Sequence, residues 1–166
     1  MNQEILRVTH FASECHKDQK RKYTGENYFF HPIAVAEMVE EYMVEKKFDQ
    51  DDIVYAIKVA LLHDTVEDTI ATHEDIEENF GKDVAKGVWF LTKVPEFVGN
   101  RATRKKMCEA RLATAPEIIK IIKTFDMMHN GYSIEEHDPK FFKLFQKETK
   151  SLLKAMGTEK IWKEKA

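Results

Sequence analysis

Apolar residues recur at three- and four-residue steps along most of this 166-residue chain. That period places them on one face of an α-helix, whereas the two-residue alternation of a half-buried strand is sustained nowhere. No repeat and no linker rich in Gly, Pro or Ser divides the sequence, and its length suits one domain with a single core. We therefore predict an all-α helical bundle that forms one domain over residues 1–166. Clear helical stripes include Ile5, Val8, Phe11, Ala12 and Cys15, and further on Ile33, Ala36, Val39, Tyr42 and Met43.

Turn and capping signals divide this pattern into separate helices. Residues 23–32 and 94–101 are predicted loops because they contain Gly, Asn and Pro. Between these loops, the run "IVYAIKVALL" is apolar over so much of its length that we expect a central, buried helix. Thr72 and Asp75 have the spacing of a capping box before the next helix, which Gly81 should end.

The second half of the chain is predicted to form three more long helices. The first is a basic helix over about 101–114, the second follows Pro116 and is closed by Gly131, and the third occupies 139–156. In the helix that precedes them, the side chains expected to face the core are Trp89, Phe90 and Leu91.

Composition and charge narrow the functional classes. The 26 basic and 29 acidic residues give a net charge of −3, which provides no general attraction for nucleic acid. Cys15 and Cys108 are far apart in the sequence and form no metal-binding motif, which favours a reducing environment. The N-terminus has no apolar segment of signal-peptide type, and no segment approaches the ~18 apolar residues of a membrane span. We expect a cytoplasmic protein with no nucleic-acid or membrane partner, and no pattern indicates its oligomeric state.

Ionisable residues are concentrated where the apolar run ends, in "ALLHDTVEDT". A carboxylate at Asp64, beside His63, would be costly to bury without a partner, and a metal ion is an economical one. His31 follows a loop directly, and Asp126 is an acid within the otherwise apolar "IIKTFDMMHN". Two imidazoles and two carboxylates suit Mn²⁺, Fe²⁺ or Zn²⁺. The alternative for His63 and Asp64 alone is an ordinary capped helix end.

The order of these four residues resembles the HD-domain superfamily of metal-dependent phosphohydrolases, which is all-helical. Three segments are closer still to the hydrolase domain of the RelA/SpoT alarmone enzymes and to the small alarmone hydrolases: "HKDQKRKYTGENYFFHPIAVAEMV", "ALLHDTVEDT" and "IKTFDMMHN". The resemblance covers about residues 5–133. No synthetase domain is recognisable in the chain, so we expect that it does not make the alarmone by the family's route.

The resemblance implies a metal-dependent hydrolysis. The residues matching the family's ligands, His31, His63, Asp64 and Asp126, would hold one Mn²⁺. Glu67 and Asp68 would assist the attacking water. The alternative is that these acids only stabilise the start of a helix, where the helix dipole favours negative charge. The substrate would be a guanine nucleotide, ppGpp or pppGpp, whose 3′-pyrophosphate is released to leave GDP or GTP.

Further residues are candidates for binding this substrate. In the family, the positions matching Arg21 and Lys22 contact the nucleotide, and the position matching Asn130 lines the same pocket. Arg21 and Lys22 belong to a basic patch, "HKDQKRK" at residues 16–22, and Arg104 and Lys105 belong to a second one, "RATRKK" at residues 101–106. Arg104 and Lys105 are additional candidates because a substrate with four or five phosphates needs several cations. The alternative for both patches is a solvated helix or loop face.

The chain departs from the family where "KTFDMMHN" replaces the common "KLADRLHN". An arginine is thereby replaced by Met127 or Met128, and a small residue by Phe125. This change bears on guanine specificity more than on hydrolysis. Two alternatives therefore stay open: an HD-domain phosphatase acting on another nucleotide, such as a nucleoside monophosphate or a dinucleotide phosphate, and a nucleotide sensor without catalysis.

Overall fold

The computed structural model describes residues 3–166, which fold into α-helices joined by short turns. Within this range there is no β-strand, and the extended pairing is limited to an isolated bridge between Lys20 and Asn27. The all-α class predicted from the sequence is confirmed. The helices are α1 (Gln3–Cys15), α2 (Phe30–Glu45), α3 (Gln50–Leu62), α4 (Thr65–Asp68), α5 (His73–Phe80), α6 (Lys82–Leu91), α7 (Arg101–Ala113), α8 (Glu117–His137), α9 (Pro139–Met156) and α10 (Glu159–Lys165), with a 3-10 turn at Glu96–Val98.

The chain divides into two compact units, residues 1–92 and residues 93–166. In the first unit, α3 is the central helix and packs against α1, α2 and α6. Its apolar residues are distributed around the helix, which is the pattern of a buried helix. The end of α3 therefore delivers the chain into the interior of this unit. The buried residues of α3 are Ile53, Ala56, Ile57, Val59, Ala60, Leu61 and Leu62.

Helix α5 begins with the predicted capping box. The Thr72 hydroxyl accepts a hydrogen bond from the Asp75 N–H at 3.1 Å, and the Asp75 carboxylate accepts one from the Thr72 N–H at 2.8 Å. The Thr72 hydroxyl also donates to the Asp75 carboxylate, at 2.9 Å. The two hydrogen bonds that this carboxylate accepts, the one from the Thr72 N–H above all, hold the pKa of the Asp75 carboxyl below its ordinary value. Gly81 ends the helix with φ at 90°, a conformation that favours glycine.

In the second unit, α9 packs against both α7 and α8. Arg101 of α7 donates two hydrogen bonds of 2.8 Å to the Glu148 carboxylate of α9. The buried hydroxyl of Thr124 in α8 donates to that of Thr158 at 2.9 Å, just before α10. These polar contacts connect α7 to α9, and α8 to the segment before α10.

Two expectations from the sequence are wrong. Helix α8 does not end at Gly131 but continues to His137. A Cβ at Gly131 would lie 3.4 Å from a ring carbon of Phe145, so the glycine lets α9 approach α8 closely and does not cap the helix. Trp89 is 46% exposed, whereas Leu91 is 4% exposed. The buried face of α6 thus excludes the tryptophan.

Among the described residues, no helix combines the length and apolarity that crossing a bilayer would need. Cys15 and Cys108 form no disulfide with each other.

Candidate metal centre

His31 lies in the first turn of α2 and is 1% exposed. Its backbone N–H donates to the carbonyl of Tyr28 at 2.9 Å. The Asn27 side chain accepts a hydrogen bond from the Phe29 N–H at 2.9 Å, which fixes the last turn of the preceding loop. The loop and the helix start together hold the His31 imidazole inside the first unit.

His63 follows α3 directly and is 2% exposed. Its Nδ1 lies 2.7 Å from the carbonyl oxygen of Ala60. Because a carbonyl oxygen only accepts, Nδ1 carries a proton, and in the neutral ring Nε2 is then the nitrogen that has the lone pair. A histidine that binds a metal through Nε2 has this tautomer, with Nδ1 donating to a group such as a backbone carbonyl.

The carboxylate of Asp64 faces both imidazoles. Its Oδ2 lies 2.9 Å from Nε2 of His63 and 3.5 Å from Nε2 of His31. The Tyr28 hydroxyl donates to the same oxygen at 2.6 Å. A neutral imidazole nitrogen and a carboxylate oxygen this close repel each other, and either a proton on the ring nitrogen or a bound cation removes that repulsion.

Asp126 lies on α8 and is 4% exposed. Lys123 donates to its Oδ2 at 2.7 Å, and the amide of Asn130 donates to its Oδ1 at 2.7 Å. Residues three before and four after Asp126 share its helix face, so these contacts follow from the helical period. Both carboxylate oxygens therefore have a donor in α8.

The structure brings the four predicted ligands together. One ligand atom from each of the four lies within 4.8 Å of all the others. This His/Asp cluster could bind a divalent metal, and its donor chemistry suits Mn²⁺, Fe²⁺ or Zn²⁺. Its members are His31, His63, Asp64 and Asp126.

Glu67 and Asp68 form the end of α4, one turn after Asp64. Residues at these offsets share a helix face with Asp64. Glu67 is half-buried and Asp68 is exposed. The carboxylate of Asp68 accepts a hydrogen bond from the Gln19 amide at 3.1 Å. The predicted acid pair is thus placed directly beside one predicted ligand, with a donor on its second acid.

Arg21 and Lys22 lie in the loop between α1 and α2. The Arg21 N–H donates to the Glu26 carbonyl at 2.8 Å, which closes the loop. The Arg21 guanidinium lies 5.7 Å from the centroid of the Tyr28 ring, and the hydroxyl of Tyr28 contacts Asp64. The ammonium of Lys22 lies 4.8 Å from the centroid of its neighbour's ring, Tyr23. Arg21 is therefore linked through one aromatic ring to Asp64, a predicted metal ligand.

Arg104 and Lys105 lie on α7 in the second unit and form ion pairs there. Arg104 is 3.4 Å from Glu96, and Lys105 is 3.4 Å from Glu148. Burial raises the pKa of the Glu148 carboxyl, but its ion pairs with Arg101 and Lys105 outweigh this and hold the pKa below its ordinary value. The substrate role of these two cations stays a prediction.

Sequence reasoning missed the residues that orient the ligands. Tyr28 lies three positions before His31, and Lys123 three positions before Asp126. The helical spacing of Lys123 was a usable signal. The contact of Tyr28 with Asp64 joins residues 36 positions apart and depends on the path of the loop, so no local pattern indicated it.

Comparison with known proteins places this fold and cluster in a family. Residues 9–152 match the HD domain family. A guanosine-3′,5′-bis(diphosphate) 3′-pyrophosphohydrolase of Aquifex aeolicus is 40% identical over 130 residues, which are 77% of this chain and 17% of that protein. A GTP pyrophosphokinase of Brucella melitensis is 31% identical over 135 residues, which are 78% of this chain and 17% of that protein. The solved structure of a metazoan ortholog of SpoT, described as hydrolysing ppGpp and acting in starvation responses, matches with a TM-score of 0.79 at 25% identity, covering 94% of this chain and 86% of that one.

This chain belongs to the HD domain family. Within it, the predicted resemblance to the hydrolases of the RelA/SpoT group is confirmed by the relatives and by the solved structure. The chain spans about 17% of the length of the two relatives matched by sequence.

Proposed function

We propose that this chain is a Mn²⁺-dependent hydrolase that removes the 3′-pyrophosphate of ppGpp or pppGpp. Water adds across the bond between the ribose 3′-oxygen and its phosphorus, so that the products are pyrophosphate and GDP or GTP. The observation that carries the proposal is the convergence of two buried histidines and two buried aspartates in a chain similar to proteins named for this reaction.

The proposed ligands are His31, His63, Asp64 and Asp126. A divalent ion held there would neutralise charge on the phosphoryl oxygens and lower the pKa of the attacking water. Ala60 and Tyr28 orient two of the ligands, through the hydrogen bonds to His63 and Asp64. The Asn130 amide donates to Asp126, so Asn130 would help to orient this proposed ligand in addition to its proposed contact with the substrate.

Glu67 and Asp68 are the proposed general base and acid. They follow Asp64 by three and four residues and are carboxylates that can accept the proton of the attacking water and return one to the leaving 3′-oxygen. Proton transfer of this kind contributes about 10²- to 10⁴-fold to enzymatic rates.

Arg21 and Lys22 are proposed to bind the phosphates, and Arg21 can also stack its guanidinium on the purine. The loop that carries them leads directly into α2 and His31. Arg104 and Lys105 are proposed as secondary contributors, since acidic partners already compensate them.

The decisive experiment is a product assay on purified protein after chelation and dialysis. We expect ppGpp to give equal amounts of GDP and pyrophosphate when Mn²⁺ is restored, and no product with the chelator present. Parallel reactions with Fe²⁺ and Zn²⁺ identify the preferred ion. Release of monophosphate from another nucleotide, with ppGpp left intact, would contradict the proposed substrate.

One observation favours a second substrate class. Met127 and Met128, where the family commonly has an arginine, are 6% and 2% exposed, so this turn of α8 contributes no cation. A nucleotide with fewer phosphates, such as a nucleoside monophosphate or dinucleotide phosphate, requires less positive charge. The same assay should therefore include such nucleotides as competing substrates.

We also propose a cytoplasmic location, which the two free thiols support. Fractionation of source cells, followed by detection of the chain in the cytoplasmic fraction, tests this.

A further inference from the structure

Two hydrogen bonds connect Asp68, the exposed acid of α4, to Gln19 and then to His16. The Gln19 amide nitrogen donates to Oδ2 of Asp68 at 3.1 Å. The amide oxygen of Gln19 lies 2.6 Å from Nδ1 of His16. His16 is completely buried, Gln19 is half-buried and Asp68 is exposed, so the chain runs from the core to the surface.

The direction of each hydrogen bond is fixed by chemistry. An ionised carboxylate can only accept, so Gln19 must point its NH₂ group at Asp68 and its oxygen at His16. The amide oxygen also only accepts, so Nδ1 of His16 carries the proton. Gln19 thus has one amide orientation that satisfies both neighbours.

The first two members of the chain are held firmly. The Gln19 N–H donates to the His16 carbonyl at 3.0 Å, and the Gln19 carbonyl accepts from the Tyr28 N–H at 2.9 Å. The His16 ring lies 5.1 Å from the Tyr28 ring, centroid to centroid. Tyr28 in turn donates its hydroxyl to Asp64. His16 therefore supports both a predicted ligand, through ring packing, and the predicted acid, through Gln19.

We infer that His16 and Gln19 are positioning residues that act through Asp68. Asp68 is exposed at the end of a one-turn helix, where its carboxylate would otherwise rotate among several rotamers. The Gln19 donor holds Oδ2 and so restricts the rotation of the carboxylate. This inference rests on the proposed role of Asp68 in hydrolysis. Gln19 would increase the rate by keeping the Asp68 carboxylate aligned for proton transfer.

A purely structural role for the same contacts makes a different prediction. If Gln19 only fastened α4 to the loop before α2, its loss would weaken folding or metal binding. If it orients Asp68, its loss lowers turnover while substrate binding and metal affinity stay the same. A thermodynamic cycle separates these cases because residues that act in one unit have non-additive effects.

The test compares Q19A, D68N and the double variant Q19A/D68N for ppGpp hydrolysis with Mn²⁺. We expect Q19A to lower kcat about tenfold, with KM and the Kd for Mn²⁺ changed less than about twofold. In the D68N background, Q19A should lower kcat no further. Q146A, which removes an exposed glutamine of α9, is the matched control and should behave like wild type.

A second cycle keeps the inference testable should D68N leave too little activity to measure. H16F retains a ring against Tyr28 but removes the Nδ1 donor, so H16F, Q19A and the double variant H16F/Q19A should share the same reduced kcat. Additive losses in this cycle, an unchanged kcat in Q19A, or a loss of Mn²⁺ affinity in Q19A would each overturn the inference. Wild-type protein that does not hydrolyse ppGpp would instead overturn the proposed function, and the inference with it.

Discussion

The hydrogen bond from Tyr28 to Asp64 offers the sharpest test of how the proposed metal site is organised. Tyr28→Phe removes one hydroxyl and leaves the ring between His16 and His31, which lie 5.1 Å and 5.7 Å from it, centroid to centroid. The change therefore deletes a 2.6 Å hydrogen bond to Oδ2 of Asp64 with little loss of packing.

Two opposing effects decide whether Tyr28→Phe weakens or strengthens the binding of Mn²⁺. The hydroxyl fixes the orientation of the carboxylate, and a hydrogen bond to a charged group is worth about 1.5–3 kcal/mol. It also withdraws electron density from the oxygen that faces both imidazoles, which weakens that oxygen as a ligand. Partners that orient a ligand typically change metal affinity by about 10- to 100-fold when removed, so orientation should prevail. At about 1.4 kcal/mol per tenfold change, the hydrogen-bond estimate gives the same range.

We therefore expect Tyr28→Phe to raise the Kd for Mn²⁺ at least about tenfold, measured by titration of chelator-treated protein with detection of free Mn²⁺ by electron paramagnetic resonance. Tyr55→Phe is the matched control, because it deletes a hydroxyl that donates to the Asp83 carbonyl, away from the cluster. An affinity that is unchanged or tighter in Tyr28→Phe, with Tyr55→Phe like wild type, would refute the view that Tyr28 orients Asp64 for metal binding.

Three further predictions concern the roles of the proposed site residues and the stability that the Glu148 ion pairs provide. Asp64→Ala should lose Mn²⁺ binding and hydrolysis together, whereas Glu67→Ala should bind Mn²⁺ normally and lose about 10²- to 10⁴-fold in kcat. Calorimetry measures the Mn²⁺ binding of both variants, and initial rates measure their hydrolysis. Equal loss of Mn²⁺ binding in the two variants would contradict this assignment of roles. Arg21→Ala should raise KM more than it lowers kcat, as steady-state kinetics will show, because a phosphate contact made equally in ground and transition states affects binding alone. Glu148→Gln should lower the free energy of unfolding at pH 7 by up to about 1 kcal/mol, because it breaks partly exposed ion pairs. Since the pKa of Glu148 is held below its ordinary 4.5, that stabilisation is complete above about pH 4.5 and is lost as the pH falls through the lowered pKa, so urea denaturation should find the two proteins converging in acid.

Controls for these predictions come from the same surfaces. Glu74→Ala removes an exposed acid from the first turn of α5 and should change neither metal binding nor rate. Lys20→Ala removes the exposed cation next to Arg21 and should leave KM unchanged. A rise in KM as large in Lys20→Ala as in Arg21→Ala would indicate general electrostatic attraction and not a defined contact.

Local sequence patterns predicted the features that local forces determine. The apolar run before His63 predicted the buried α3, because a helix surrounded by other helices needs apolar residues on all sides. The capping box of Thr72 and Asp75 was predictable because both of its hydrogen bonds join residues three positions apart. The two histidines and two aspartates that the sequence suggested as ligands form a group that could hold a metal ion, and their role as ligands stays a prediction.

Features that depend on packing between distant segments were not predictable in the same way. Gly131 has the composition signal of a helix end, but Phe145 occupies the space beside it and the helix continues. The hydrogen bonds of Gln19 to Asp68 and Tyr28 to Asp64 join residues 49 and 36 positions apart. Their existence depends on how the loop before α2 folds over the end of α3, which no short-range pattern encodes.

The ammonium of Lys123 gives the carboxylate of Asp126 a resident counter-ion within its own helix. This buried acid therefore has a compensating charge three residues away, so its burial does not leave an isolated anion on α8. Any cation that binds Oδ2 would compete with the ammonium for this oxygen, so Lys123 sets part of the free-energy cost of cation binding at this carboxylate.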